Sequence, residues 1–215
     1  MEMGKNELLK SGTTTIGMVC KDGIVLAADK RATMGNYIAD RKAQKIHQIS
    51  KAIAITIAGN VADAQLIIKI ITAQLKLEEM RKGRLPSVKE AASLLANIVY
   101  SNIRKFSTIP GITHFLIGGS DSEGFHLYEI FVDGSTTKHD DFVASGSGSP
   151  MVWGYLENLY KKNMEIEEVV QLAIKSLNAA IQRDSASGSG IDIIQITKDG
   201  FSKILEKEIQ TKVAV

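Results

Sequence analysis

Followed from the N-terminus, the apolar positions alternate between the two-residue repeat of strands and the 3.6-residue repeat of helices. Residues 13–20 and 23–30 are rich in strand formers, and Asp22-Gly23 between them marks a hairpin. Residues 31–42 carry Gly35, Asn36 and several charges, and are expected to form a bent, extended connection. Residues 43–49 and 52–58 predict a second strand pair about Ser50-Lys51. The run from Ala52 to Ala58 has little polar alternation, the mark of a strand covered on both faces.

The period then lengthens. Ala64, Ile67, Ile68, Ile71 and Leu75 are spaced as one face of a helix over residues 61–81, with Gly83 as its stop. A second helix follows Pro86: Ser87 and Glu90 form a capping box, and Val88, Ala91, Ala92, Leu95 and Val99 make the inner face. Strands return at 112–118 and 125–132, and Asp133-Gly134 leads into another at 135–144. Ser149 as N-cap and Pro150 at the first helical position predict a third helix. In residues 165–183 the apolar positions Ile166, Val169, Val170, Ala173, Ile174, Leu177, Ala180 and Ile181 share one face of a fourth. A last hairpin pairs 191–197 with 201–209.

Strands and helices thus come in separate blocks, which points to an α+β fold rather than a parallel βαβ fold. Doubly apolar strands, each block with one amphipathic helix pair, predict two stacked sheets with helices on the outer faces: a four-layer αββα sandwich. No linker divides the chain after residue 12, so residues 13–215 are expected to form a single domain. Residues 1–12 show no strong period and read as a flexible leader.

Composition narrows the function classes. A formal net charge of +2 gives no argument for nucleic acid or an anionic membrane surface as partner. The longest apolar run, from Ala52 to Gly59, includes Thr56 and is too short to span a bilayer. The leader lacks the apolar core of a secretory signal, so a cytoplasmic location is expected. Cys20 is the only cysteine, which excludes an intrachain disulfide and fits that setting. His47, His114, His126 and His139 are scattered without zinc-site spacing, so no metal or other cofactor is expected. The segment 146–150 resembles an anion nest ahead of a helix, but no lysine follows its glycines as a phosphate loop requires.

Two ionisable residues stand where a core would not want them. Asp29 closes an apolar strand, and Lys45 lies inside 43–49. A buried charge needs a partner. On these residues alone, an Asp29–Lys45 pair bridging strands and two solvated strand ends are both open. Gly12-Thr13-Thr14-Thr15 reads equally as the start of a strand, and residues 184–188 as a loop that ends a helix.

The ordered set of Gly12-Thr13-Thr14-Thr15, Ala28-Asp29, Lys45, Ile57-Ala58-Gly59, Gly146-Ser147-Gly148-Ser149-Pro150 and Arg183-Asp184-Ser185-Ala186-Ser187-Gly188 resembles the β subunit of the proteasome core particle, archaeal type. The resemblance implies an N-terminal nucleophile hydrolase fold and a threonine-type endopeptidase acting on unfolded polypeptide. It implies that residues 1–12 are a propeptide cut autocatalytically between Gly12 and Thr13. Thr13 would then be the nucleophile, Asp29 and Lys45 its charged neighbours, and Ser147, Asp184 and Ser187 the rest of its hydrogen-bond network. The Gly59 amide would face the oxyanion. Ala32, Ala43, Ile57 and Val61 would line the first specificity pocket, and Thr33 would hold substrate backbone. The family usually has glycine where this chain has Ser189. Implied partners are other β subunits in a seven-membered ring, rings of α subunits and an ATP-dependent unfoldase.

That chemistry suits these residue types. A free α-amino group titrates near pH ~7.7–8.0, which lets a terminal threonine carry nucleophile and general base together. Two rival readings share the fold: a ring subunit with an idle site, and an amidase for small molecules. A third, non-enzymatic reading makes residues 146–149 an anion-binding module.

Overall fold

The computed structural model describes residues 12–209. Their strands form two five-stranded sheets and one two-stranded ribbon, and every pairing is antiparallel. The first sheet has the order β10-β1-β2-β11-β12, from β1 (Thr14–Val19), β2 (Ile24–Asp29), β10 (Phe142–Gly146), β11 (Gly190–Thr197) and β12 (Gly200–Glu208). The second runs β5-β6-β7-β8-β9, from β5 (Ile46–Ser50), β6 (Ile53–Gly59), β7 (Thr113–Asp121), β8 (Gly124–Ile130) and β9 (Thr136–His139).

Three apolar clusters hold four layers together. Helices α3 (Ser149–Leu159) and α4 (Ile166–Arg183) pack Val152, Leu156, Val169, Ala173 and Leu177 onto Ile16, Met18, Val25 and Ile193 of the first sheet. Helices α1 (Val61–Lys82) and α2 (Val88–Ile103) pack Ile67, Ile71, Leu95 and Val99 onto Ile55, Phe115 and Ile117 of the second. Between the sheets lie Ile24, Leu26, Leu116, Leu127, Val143 and Ile194. Each fully buried Val, Leu, Ile, Met or Phe side chain among these contributes roughly 1.5–3 kcal/mol. This is the expected αββα sandwich, and both faces of β2 and β6 are covered, one by the helices and the other by the facing sheet.

Local signals act where they were read. Ser87 Oγ accepts from the Glu90 amide at 3.1 Å, and Glu90 Oε2 accepts from the Ser87 amide at 2.8 Å. Gly83 ends α1 in the left-handed region, at φ +64. Three expectations change. Residues 31–42 are not a plain connection: β3 (Ala32–Met34) and β4 (Tyr37–Asp40) form a ribbon, because Gly35 at φ +58 lets the chain double back. The stretch 135–144 is not one strand. It breaks at Asp140-Asp141, so β9 stays in the second sheet and β10 crosses to the first, pairing with β1. The N-cap of α3 is Gly148 rather than Ser149, whose buried side chain is already inside the helix. Among the described residues, no helix is long and apolar enough to cross a membrane.

Candidate active site

Thr13 lies one residue ahead of β1, at the end of the sandwich where β2, β6 and β10 also approach their ends. Thr13 Oγ1 donates to the Gly12 carbonyl oxygen at 2.7 Å, and the Gly12 amide donates to Thr33 Oγ1 at 2.9 Å. Thr13 is buried, with 4% of its surface exposed. Gly146, at φ +93, closes β10 against it: a Cβ there would stand 2.7 Å from the Thr13 carbonyl carbon.

Asp29 ends β2 with its carboxylate fully buried. Oδ1 accepts from Lys45 Nζ at 2.7 Å and from the Thr14 amide at 2.8 Å. Oδ2 accepts from the Gly188 amide at 2.9 Å and the Arg31 amide at 3.0 Å. The Asp29–Lys45 pair is therefore real, and it joins the two sheets. Lys45 immediately precedes β5 rather than lying within it, which frees its amine from the side-chain alternation of that strand. Burial pushes the Lys45 amine below the ordinary lysine value, and the charge and hydrogen bond of Asp29 oppose that shift.

A second network surrounds the Thr13 nitrogen. The Thr13 amide donates to Ser147 Oγ at 3.2 Å, and Ser147 Oγ donates to Asp184 Oδ2 at 2.6 Å. Ser187 Oγ donates to the same oxygen at 2.6 Å and shares a 2.7 Å hydrogen bond with Thr14 Oγ1. Asp184 is placed by the end of α4, where its amide caps the Ala180 carbonyl at 2.7 Å. Loop 184–190 then carries Ser187 and Gly188 back beneath Thr14 and Asp29.

A cavity of about 400 Å³ opens beside Thr13 and Gly12. Its wall includes Lys45, Gly59 and all four of Ala32, Ala43, Ile57 and Val61. Thr13 leads into the first sheet and Gly59 ends a strand of the second, so the cleft is assembled from both. Gly59 has φ +107, and a Cβ would crowd the Ile112–Thr113 backbone, 3.2 Å from Thr113 Cα.

The structure thus brings together the residues that the resemblance assigns to the site, Thr33 through its bond from the Gly12 amide. It adds others. The Thr14 side chain joins the Ser187 network, and Arg31 Nη1 donates to the Ser185 carbonyl at 2.8 Å, bracing the loop. His47 and Gln65 join the cavity wall, and burial lowers the His47 pKa despite its contact with the Gln44 carbonyl. The Gly12-Thr13-Thr14 run gave a signal for Thr14, but nothing local marks Gln65, which a helix turn brings to the cleft. Ser189 stands at φ +65, which is why a glycine suits that position. Among the described residues, no three His, Cys, Asp or Glu side chains form a group that would hold a metal ion.

Comparison with known proteins bears on this geometry. The family model described as "Proteasome subunit" matches residues 9–196. "Proteasome subunit beta" of Archaeoglobus profundus is 46% identical over 198 residues, 92% of this chain and 90% of that relative. The protein of the same name from Ferroglobus placidus is 46% identical, covering 93% of each chain. That from Methanosphaerula palustris is 44% identical over 208 residues, 97% of this chain and 96% of its own.

Proposed function

The chain belongs to the proteasome subunit family, and from that membership we propose that it is a catalytic β subunit, a threonine-type endopeptidase with Thr13 as nucleophile. The observation that carries the reading is the Thr13 hydroxyl on the Gly12 carbonyl at 2.7 Å, beside a buried Asp29–Lys45 pair.

Maturation comes first. Thr13 Oγ attacks the Gly12 carbonyl carbon, and collapse of the tetrahedral adduct breaks the Gly12–Thr13 C–N bond. The nitrogen takes up a proton, leaving an ester that water hydrolyses to a Gly12 carboxylate and a free Thr13 amine. The propeptide is residues 1–12, of which 1–11 lie outside the described residues. In the mature enzyme the amine accepts the Oγ proton as Oγ attacks a substrate carbonyl. Ser147, linked to Asp184, orients that amine. Lys45 lowers the cost of negative charge on Oγ, and Asp29 holds Lys45 in place. The Gly59 amide receives the oxyanion, an interaction worth roughly 2.7–4 kcal/mol in comparable sites. The amine returns its proton to the leaving nitrogen, and water then releases the acyl group from Oγ.

Ala32, Ala43, Ile57 and Val61 give the cavity an apolar wall, which favours cleavage after large apolar residues. The substrate is unfolded polypeptide, and the setting is a cytoplasmic particle: seven-membered β rings stacked with α rings and fed by an ATP-dependent unfoldase. Exposed apolar side chains such as Phe106, Ile109 and Trp153 suit burial in such an assembly.

The test is Thr13→Ala in assembled particles. The variant should keep residues 1–12 and turn over no fluorogenic peptide. Turnover by Thr13→Ala particles, or by wild-type particles that keep Met1, would refute the assignment. Among peptides differing only in the residue before the cut, equal or faster cleavage after acidic residues would refute the specificity.

A further inference from the structure

A cluster of polar side chains lies between the sheets and outside the site just described. Ser145 Oγ, on β10, is 2.7 Å from His114 Nδ1, on β7. His114 Nε2 is 3.0 Å from Glu129 Oε1, on β8, close but off line for a hydrogen bond. Glu129 Oε2 is 3.1 Å from His139 Nε2, on β9. Ser145 and Glu129 are buried, and Phe131 stacks on the His114 ring with centroids 5.1 Å apart. The carboxylate favours the tautomer with a proton on Nε2, which leaves Nδ1 to accept from the Ser145 hydroxyl.

The order serine, histidine, carboxylate is that of a hydrolase triad, but Ser145 is 3% exposed and too enclosed to meet a peptide bond. Its position suggests another role. Ser145 lies opposite Thr15 and His114 opposite Ala58, each one step from the reacting end of its strand. In the first sheet β1 stands between β2 and β10. The Asp29–Lys45 pair ties β2 to the second sheet, and Ser145–His114 ties β10 to it. The two directional links therefore flank the strand that carries Thr13. Apolar packing between the sheets resists separation but sets direction weakly, whereas a hydrogen bond restricts both distance and angle. With one tie, the end of β1 can rock about it.

We propose that Ser145, His114 and Glu129 are positioning residues that align the two sheets and so place Thr13 against the Gly59 amide. The inference rests on Thr13 as nucleophile. A misplacement of about 1 Å in such a site costs on the order of 100-fold in rate, so partial loosening shows in kcat.

The experiment uses assembled particles with a processed Thr13, checked by N-terminal mass, and a fluorogenic peptide. S145A should lower kcat about tenfold with KM within about twofold, and S145T, which keeps the hydroxyl, should stay within about threefold of wild type. E129Q should lower kcat as well, and S145A/E129Q should be about as slow as the slower single variant, because the residues act as one unit. The proposal is overturned if S145A keeps its kcat, if S145T is no better than S145A, or if the two losses multiply. Should S145A fail to assemble, E129Q is read by the same kcat criterion. A Thr13→Ala control separates the two ideas: an active control refutes the nucleophile, while a dead control beside an unimpaired S145A refutes only the positioning.

Discussion

Replacing Gly12 by alanine tests the link between packing and the proposed self-cleavage. A Cβ on Gly12 would stand 2.9 Å from Ala186 Cα, closer still to Ala186 Cβ, and 3.1 Å from Ser147 Oγ. Ordinary carbon–carbon contacts lie at about 3.5–4.0 Å, so the Cα approach alone falls short by roughly 0.6–1.1 Å. Ala186 is held by the hydrogen bond its amide donates to Asp184 Oδ1 at 3.2 Å, and Arg31 braces the adjacent Ser185 carbonyl. The residue that yields is therefore Gly12, whose carbonyl moves off Thr13 Oγ1. A displacement near 1 Å predicts cleavage slowed by about 100-fold. Intact-mass measurement of the subunit during particle assembly reads that rate. A186G removes the Cβ, the nearest obstruction, but leaves the 2.9 Å approach to the Cα, so G12A/A186G should recover only part of it. Particles that do mature carry no residue 12, and their kcat per free Thr13 should equal that of wild type. Maturation of G12A at the wild-type rate, or no recovery with A186G, would refute the argument.

Lys45→Met should reduce kcat/KM by roughly 100–1,000-fold, a loss typical of one removed electrostatic stabiliser. It should also lower stability in urea by about 3–5 kcal/mol, because Asp29 keeps a buried charge without its cation; activity within tenfold of wild type would contradict the role. Ser189→Gly should raise the melting temperature by about 2–4 °C, since a left-handed non-glycine residue costs about 1 kcal/mol or more; an unchanged or lower Tm would count against it. Glu129 supplies a pH prediction. Burial pushes its carboxyl up, but the nearby His114 imidazole and the hydrogen-bonded His139 outweigh that and hold it at about 2. A carboxyl lowered on folding stabilises above its unfolded value and loses that stabilisation as pH falls through the folded one. Wild-type unfolding midpoints should therefore fall from about pH 4.5 toward pH 2, and E129Q should lack that component. Parallel curves for the two proteins would refute it.

Much of the fold was legible because its causes are local. The inner faces of α1, α2 and α4 are written in side chains three and four residues apart, and they point to the sheets as read. Hairpins at Asp22-Gly23 and Asp199-Gly200 follow from turn residues. The break at Asp140-Asp141 was not legible as a change of sheet, since strand propensity is the same in either sheet. The cap of α3 was misplaced because Gly148 has no side chain to announce it. For the site, Asp29 and Lys45 stood out as charges in apolar runs, but the residues alone left their pairing open. Their roles, and those of Ser147, Asp184 and Ser187, came from a family resemblance.

By itself, then, the sequence determined the helices, most strands, the α+β layering and an ordered set of motifs that resembles the proteasome β-subunit pattern. Those are consequences of periodicity and of residue identity. Only the tertiary structure decided that Lys45 reaches Asp29 across the sheets, that the Thr14 hydroxyl shares in the Asp184 network, and that Ala186 leaves no room for a side chain at Gly12. These contacts join residues far apart in the chain. They depend on how two sheets are stacked and aligned, a relation that no local period encodes.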